Sequence, residues 1–192
     1  VTNEAFDETV ATVVDQSKDP IDTPAVVNEA GIFGEIANGK CGKLDVLTGT
    51  KPFMIRMKVK LNSAATKNHI LINRGGEPYQ IAYGIDGTAS RIKFQMCDTN
   101  GNWHETKVCV TDKIGQEIDI LALYTGSTMG LWVDGERCTD YSSHNTNPNS
   151  SYTMKNGTAN ALKIGEADSK ASIKSMQVVK DIGTITNTAN YN

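Results

Sequence analysis

The segment FMIRMKVKL constrains the fold more than any other part of the chain. Phe53, Ile55, Met57, Val59 and Leu61 alternate with Met54, Arg56, Lys58 and Lys60. A period of two places one set on each face of an extended strand, whereas a helix would scatter the apolar set around its axis. The same alternation returns in YQIAYGI, with Tyr79, Ile81, Tyr83 and Ile85 in phase, and in RIKFQMC, with Ile92, Phe94 and Met96 opposite Arg91, Lys93 and Gln95. HILIN, KVCVT, EIDILALY, MGLWV, ALKIG and SIKSMQVV read as further strands. TNGN, TGST and the Asp134-Gly135 pair are turn signals between them. No stretch carries a long helical period; a short helical turn is expected only between Pro24 and Ala30.

Many short strands with frequent turns predict an all-β antiparallel two-sheet jelly-roll sandwich. Polar residues fill about half of the strand positions, so each sheet turns one face to the core and one to water. The 192 residues suit a single domain spanning 1–192, with a core over about 6–181 and polar, linker-like ends such as VTNEAFDE and TITNTANYN. The chain opens on Val1 without a secretory signal, which reads as a mature or excised piece of a longer, secreted or cell-surface protein. The stretch SSHNTNPNSSYTMKNGTAN is a long polar loop carrying the formal glycosylation acceptors Asn149 and Asn156.

Net charge is -3 with both signs interspersed, so no basic stripe for nucleic acid exists. No apolar run approaches the roughly 20 residues that span a bilayer as a helix, and membrane insertion is not expected. Cys41, Cys97, Cys109 and Cys138 form no CxxC pair and lie away from His69, His104 and His144, which disfavours zinc. They could form up to two disulfides or remain thiols.

The order of features resembles bacterial laminin-G-like domains of the concanavalin A-like lectin/glucanase superfamily. The likeness runs through AFDETVATVVDQSK (with Asp7, Glu8, Asp15 and Ser17), NGKCGKLDV, FMIRMKVKL, IDILALYTGSTMGLWVDGERC and LKIGEADSKASIKSMQVVKD. It implies a concanavalin A-like sandwich, and it leaves the ligand open because this architecture hosts many functions. It also allows one structural calcium ion. Asp15, Asp19 and Asp22 cluster in a loop-like stretch, but their spacing is no recognised calcium cage, so the metal ligands stay unknown.

QEIDILALY begins as the catalytic strand of laminarinase-type glycoside hydrolases begins, with Glu117 and Asp119 in the first two carboxylate positions. Retaining hydrolysis needs an acid to protonate the leaving group as well as a nucleophile. Leu121 and Ala122 stand where the third carboxylate belongs. The scattered histidines build no nucleophilic triad, so the chain is not expected to be an enzyme.

Sugar recognition asks for a flat aromatic surface and planar polar groups. NRGGEPYQ and TNGNWHE supply both kinds. The expected ligand surface is the polar face holding Gln80, Arg91 and Gln95, bounded by Arg74 and Glu77 on one side and walled by Trp103 and His104 on the other. Trp132, before the Asp134-Gly135 turn, reads as a packing residue. The expected function is a non-catalytic carbohydrate-binding module that binds a glycan and targets a covalently linked glycoside hydrolase or adhesin in a secreted multidomain bacterial protein. One alternative is the sialic-acid-binding lectin module of a sialidase, although the arginine pair expected of such modules is absent from RIKFQMC and ASIKSMQV. An alternative of another class is a structural or adhesive protein-interaction domain without a small ligand.

Overall fold

The computed structural model describes residues 9–12, 26–28, 31–36, 52–74, 79–139, 152–155 and 161–180. Over these residues the chain is all-β, apart from a 3-10 turn at Thr111–Lys113. The strands are β1 (Thr9–Thr12), β2 (Val26–Asn28), β3 (Gly31–Ile36), β4 (Phe53–Leu61), β5 (His69–Asn73), β6 (Tyr79–Asp86) and β7 (Ala89–Cys97). They continue as β8 (Trp103–Cys109), β9 (Glu117–Tyr124), β10 (Met129–Val133), β11 (Glu136–Arg137), β12 (Leu162–Ile164) and β13 (Ala171–Lys180). The first sheet has six strands in the order β1-β13-β4-β9-β10-β11, and the second has seven in the order β2-β3-β12-β5-β6-β7-β8. All pairings are antiparallel. This is the jelly-roll sandwich that the alternation predicts. The expected helical turn between Pro24 and Ala30 is corrected: Val26–Asn28 is a strand paired with β3, because two β-branched valines favour the extended backbone once a partner strand is available.

The core lies between the sheets. Phe53, Ile55, Met57, Val59 and Leu61 are at most 1% exposed and meet the inner side chains of β6 and β7, among them Tyr79, Ile81, Phe94 and Met96. The rings of Phe53 and Tyr79 lie 5.3 Å apart across this interface.

Two irregularities decide which side chains face outward. In β13 the register shifts between Ile173 and Ser175, so the extra residue Lys174 bulges out and both Ile173 and Met176 stay in the core. In β5 the register shifts between Ile70 and Ile72. Beyond that shift Asn73 pairs with Gln80 rather than following the inward phase of His69. The β5 bulge thereby adds a polar group to the outer face of the second sheet.

Cys97, Cys109 and Cys138 are thiols, none of them in a disulfide; Cys41 lies outside the described residues. The long loop over 142–160 and the Asp15, Asp19 and Asp22 cluster also fall largely or wholly outside them. Among the described residues no group of acidic, histidine or cysteine side chains is arranged to hold a metal ion, and no helix is long and apolar enough to cross a membrane.

Candidate functional site

Alternation along β6, β7 and β8 gives the outer face of the second sheet a set of long polar side chains in register. Asn73 of β5 lies opposite Gln80 of β6, Gln80 opposite Gln95 of β7, and Gln95 opposite Glu105 of β8. Directly opposed residues in antiparallel strands have Cβ atoms about 5 Å apart, within reach of side-chain hydrogen bonds. The groups are linked in one direction. Asn73 Nδ2 donates to Gln80 Oε1 at 2.9 Å, Gln80 Nε2 donates to Gln95 Oε1, and Gln95 Nε2 donates to Glu105 Oε2 at 2.6 Å. A carboxylate can only accept. Glu105 therefore fixes the orientation of the Gln95 amide, and through it those of Gln80 and Asn73.

A second row lies beside the first. Lys93 of β7 sits opposite Ala82 of β6 and Lys107 of β8. Lys107 Nζ is 2.6 Å from Asp86 Oδ2 and 3.5 Å from Glu105 Oε1. Arg91 Nε reaches the same Asp86 oxygen at 3.3 Å. The ammonium of Lys107, bonded to Asp86, holds that carboxyl below the usual carboxylate range. Gln95, Glu105, Lys93 and Lys107 are all buried, between 2% and 9% exposed, whereas Gln80, Arg91 and Trp103 are half-buried and form the margin nearest to water. Polar contacts made in this shielded setting are stronger than the same contacts in open solvent.

Gln80, Arg91 and Gln95 thus share one face, as strand alternation requires. Trp103 opens β8 opposite Cys97, in phase with Glu105 and Lys107, and so belongs to the edge of this face. His104 does not. Consecutive residues of a strand point to opposite sides, so His104 is turned into the core, 1% exposed, stacked on Tyr152 at 3.7 Å between centroids and bonded to Asp98 Oδ2 at 3.0 Å. The expected wall of Trp103 and His104 is corrected to Trp103 alone. Arg74 is 1% exposed at the end of β5 and its guanidinium is not at the surface of the face. Glu77 lies outside the described residues. Alternation already puts Lys93 on this face beside Arg91 and Gln95, but Asn73, Glu105 and Lys107 were not assigned to it. Glu105 and Lys107 were available from phase alone, since they share parity with Trp103; Asn73 was not, because a bulge supplies its phase.

The outer face of the first sheet is different in kind. Trp132, Leu123 and Val179 form a small buried cluster with Met54 and Leu121 packed against it. Trp132 does pack, as expected, but on this outer face rather than between the sheets. Its ring lies over Gly130, where a Cβ would stand 2.6 Å from the indole, and the Arg137 guanidinium carbon is 5.7 Å from the ring centroid. A hollow of about 220 Å³ beside it is lined by residues including Met54, Arg56, Asp119 and Leu121. Glu117 is exposed, and Asp119 pairs with Arg56 at 3.8 Å and receives no further acidic neighbour from position 121 or 122. A covered indole and a lone ion pair give this hollow little with which to hold a sugar ring.

No protein-family profile matches the chain, and no curated protein matches it. Solved structures do. Galectin-11 of sheep, in a complex with glycerol, is similar over 77% of this chain and 95% of its own, with a TM-score of 0.39 and 19% identity. The binding domain of botulinum neurotoxin serotype D is similar over 89% of this chain and 41% of its own, with a TM-score of 0.46 and 7% identity. Trypanosoma rangeli sialidase is similar over 85% of this chain and 25% of its own, with a TM-score of 0.43 and 10% identity.

Proposed function

We propose that the chain is a non-catalytic carbohydrate-binding module of the laminin-G-like type, and that the outer face of the second sheet is where it holds a glycan. The observation that carries this reading is the relay from Asn73 through Gln80 and Gln95 to Glu105. Sugar hydroxyls donate and accept at once, and carboxamides do the same in a planar geometry. The relay fixes those amides before a ligand arrives, so little side-chain entropy is lost on binding. Gln80 is the half-buried member: beyond its bonds to Asn73 and Gln95, an amide N–H and an oxygen lone pair remain for a ligand. Trp103 at the sheet edge supplies apolar surface for the C–H side of a ring.

The adhesive reading has less support. Among the described residues Ile85 alone is large, apolar and exposed, at 38%, and protein-docking patches are larger and contiguous. Catalysis has less support too, because the carboxylates of β9 lie on the opposite sheet from the polar face. In the proposed setting the module belongs to a secreted bacterial protein and raises the local sugar concentration for a linked hydrolase or adhesin. The test is a glycan array probed with the chain. Reproducible binding that is lost in Gln95→Leu, with folding retained, supports the reading; an array without any signal removes it.

A further inference from the structure

Among the described residues, Lys93 is a buried charge of the polar face that forms no ion pair. Lys93 is 9% exposed. Its ammonium donates to Asn68 Oδ1 at 3.2 Å and to the Ile85 carbonyl at 3.0 Å, both neutral acceptors. A lysine carries three N–H donors, and the third has no partner among the described residues. The nearby acids are already engaged: Asp86 by Lys107 and Arg91, and Glu105 by Lys107 and Gln95. Asp86 feels Lys93 through space, but no carboxylate of the described residues forms an ion pair with it. The face therefore carries Arg91, Lys93 and Lys107 against Asp86 and Glu105, an excess of positive charge in a shielded place.

Burying a charge without a counter-charge costs stability. The chain nevertheless makes room for this one. Gly84 sits opposite Arg91 and beside Lys93. A Cβ at Gly84 would stand 2.1 Å from Asn68 Oδ1 and 3.1 Å from Lys93 Cε. Glycine at this position leaves the space that the lysine stem and its amide acceptor occupy. The ammonium is seated, pointed and left one counter-ion short.

We propose that Lys93, flanked by Arg91 and Lys107, is an anion subsite, so that the glycan held by this face is acidic: a saccharide carrying a carboxylate or a sulfate. This rests on the glycan reading above and adds the class of sugar. The negative group would take the third N–H of Lys93, while the ring hydroxyls meet the amides of Gln80 and Gln95 one row away.

The experiment probes the chain with an array of neutral, carboxylated and sulfated glycans, and then titrates the strongest acidic oligosaccharide against its methyl-esterified or desulfated counterpart at low and high salt. The expected result is signal concentrated on acidic glycans, at least tenfold weaker binding of the neutralised counterpart, and weakening with salt. Carboxylated and sulfated arms separate the two sources of charge. Lys93→Met is expected to lower affinity for the acidic oligosaccharide about tenfold and to keep or raise the melting temperature, since it removes an unanswered buried charge. Lys93→Arg keeps the charge and is expected to retain more of the affinity. Binding confined to neutral glycans, or equal binding of acidic and neutralised forms, overturns the anion subsite and leaves the glycan reading standing. Silence on every glycan class overturns both. The comparison of native and neutralised sugars uses the wild-type chain, so a Lys93 variant that fails to fold does not blunt the test.

Discussion

Replacing Asp98 by alanine tests how the edge of the polar face is held in place. Asp98 is 4% exposed and closes the turn between β7 and β8. Its Oδ1 accepts the Asn100 N–H at 2.8 Å and the Asn102 N–H at 2.9 Å. Its Oδ2 accepts from Asn102 Nδ2 at 3.3 Å and from His104 Nε2 at 3.0 Å. Burial works against the carboxylate, but the bonds from His104, Asn102 and Asn100 outweigh it and hold the carboxyl below its usual range. In Asp98→Ala, His104 loses its partner at Nε2 while its buried Nδ1 already has none among the described residues. Leaving that imidazole unsatisfied costs about 1–3 kcal/mol, and the two partly solvated N–H groups lose about 0.5–1.5 kcal/mol each. The expected total is about 2–6 kcal/mol, which for a chain of this length lowers the melting temperature by about 4–24 °C. Urea denaturation followed by tryptophan fluorescence reads the loss, because Trp103 sits in the same hairpin. Asp98→Asn keeps one acceptor oxygen and should lose about half as much. A native carboxyl held below its unfolded value contributes stability that is present above about pH 4 and disappears as pH falls through the folded value. The wild type should therefore lose stability in that acid window more steeply than Asp98→Asn. A loss under 1 kcal/mol in Asp98→Ala would refute the claim that this carboxylate organises the hairpin.

Three further outcomes follow from the same geometry. Trp103→Ala should weaken glycan binding about tenfold by isothermal titration, the effect of losing about 1–2 kcal/mol of apolar contact; unchanged affinity removes Trp103 from the site. Gly130→Ala drives a Cβ to 2.6 Å from the Trp132 ring and should destabilise the chain by about 1–3 kcal/mol in urea denaturation, whereas a neutral outcome would mean that the indole moves aside freely. Burial holds the His69 imidazole below its ordinary value although Glu166 pulls the other way; the unfolded chain therefore takes up this proton first, the stability His69 contributes is full above about pH 6.5 and falls as pH drops, and the decline in stability from pH 7 to 5 should flatten in His69→Gln.

Most of the sheet framework was legible because alternation is a local property. FMIRMKVKL carries its phase without interruption, and Phe53, Ile55, Met57, Val59 and Leu61 are all buried. The same rule failed in two places for two reasons. The sequence puts the turn at TNGN and resumes the strand only at KVCVT, yet β8 begins at Trp103, so one side chain of the Trp103 and His104 pair has to enter the core. In β5 the phase of HILIN is broken by a register shift. A bulge arises from pairing with a neighbour, and no residue type in HILIN announces it. The relay itself was beyond residue types, because Gln80, Gln95 and Glu105 are far apart in sequence and become neighbours only through strand register. Val26–Asn28 was missed because its valines acquire a strand conformation from β3.

The side-chain amide resonances of Asn73, Gln80 and Gln95 offer the most direct measurement of where a glycan sits. Each NH₂ group gives a resolvable pair of cross-peaks in a nitrogen–proton correlation spectrum, and each belongs to the relay. Titrating the labelled chain with the oligosaccharide that binds best on the array should shift these amides and the Trp103 indole, and leave the Trp132 indole unmoved. Shifts confined to the Trp132 side of the first sheet, or an unchanged spectrum at saturating sugar, would contradict the account.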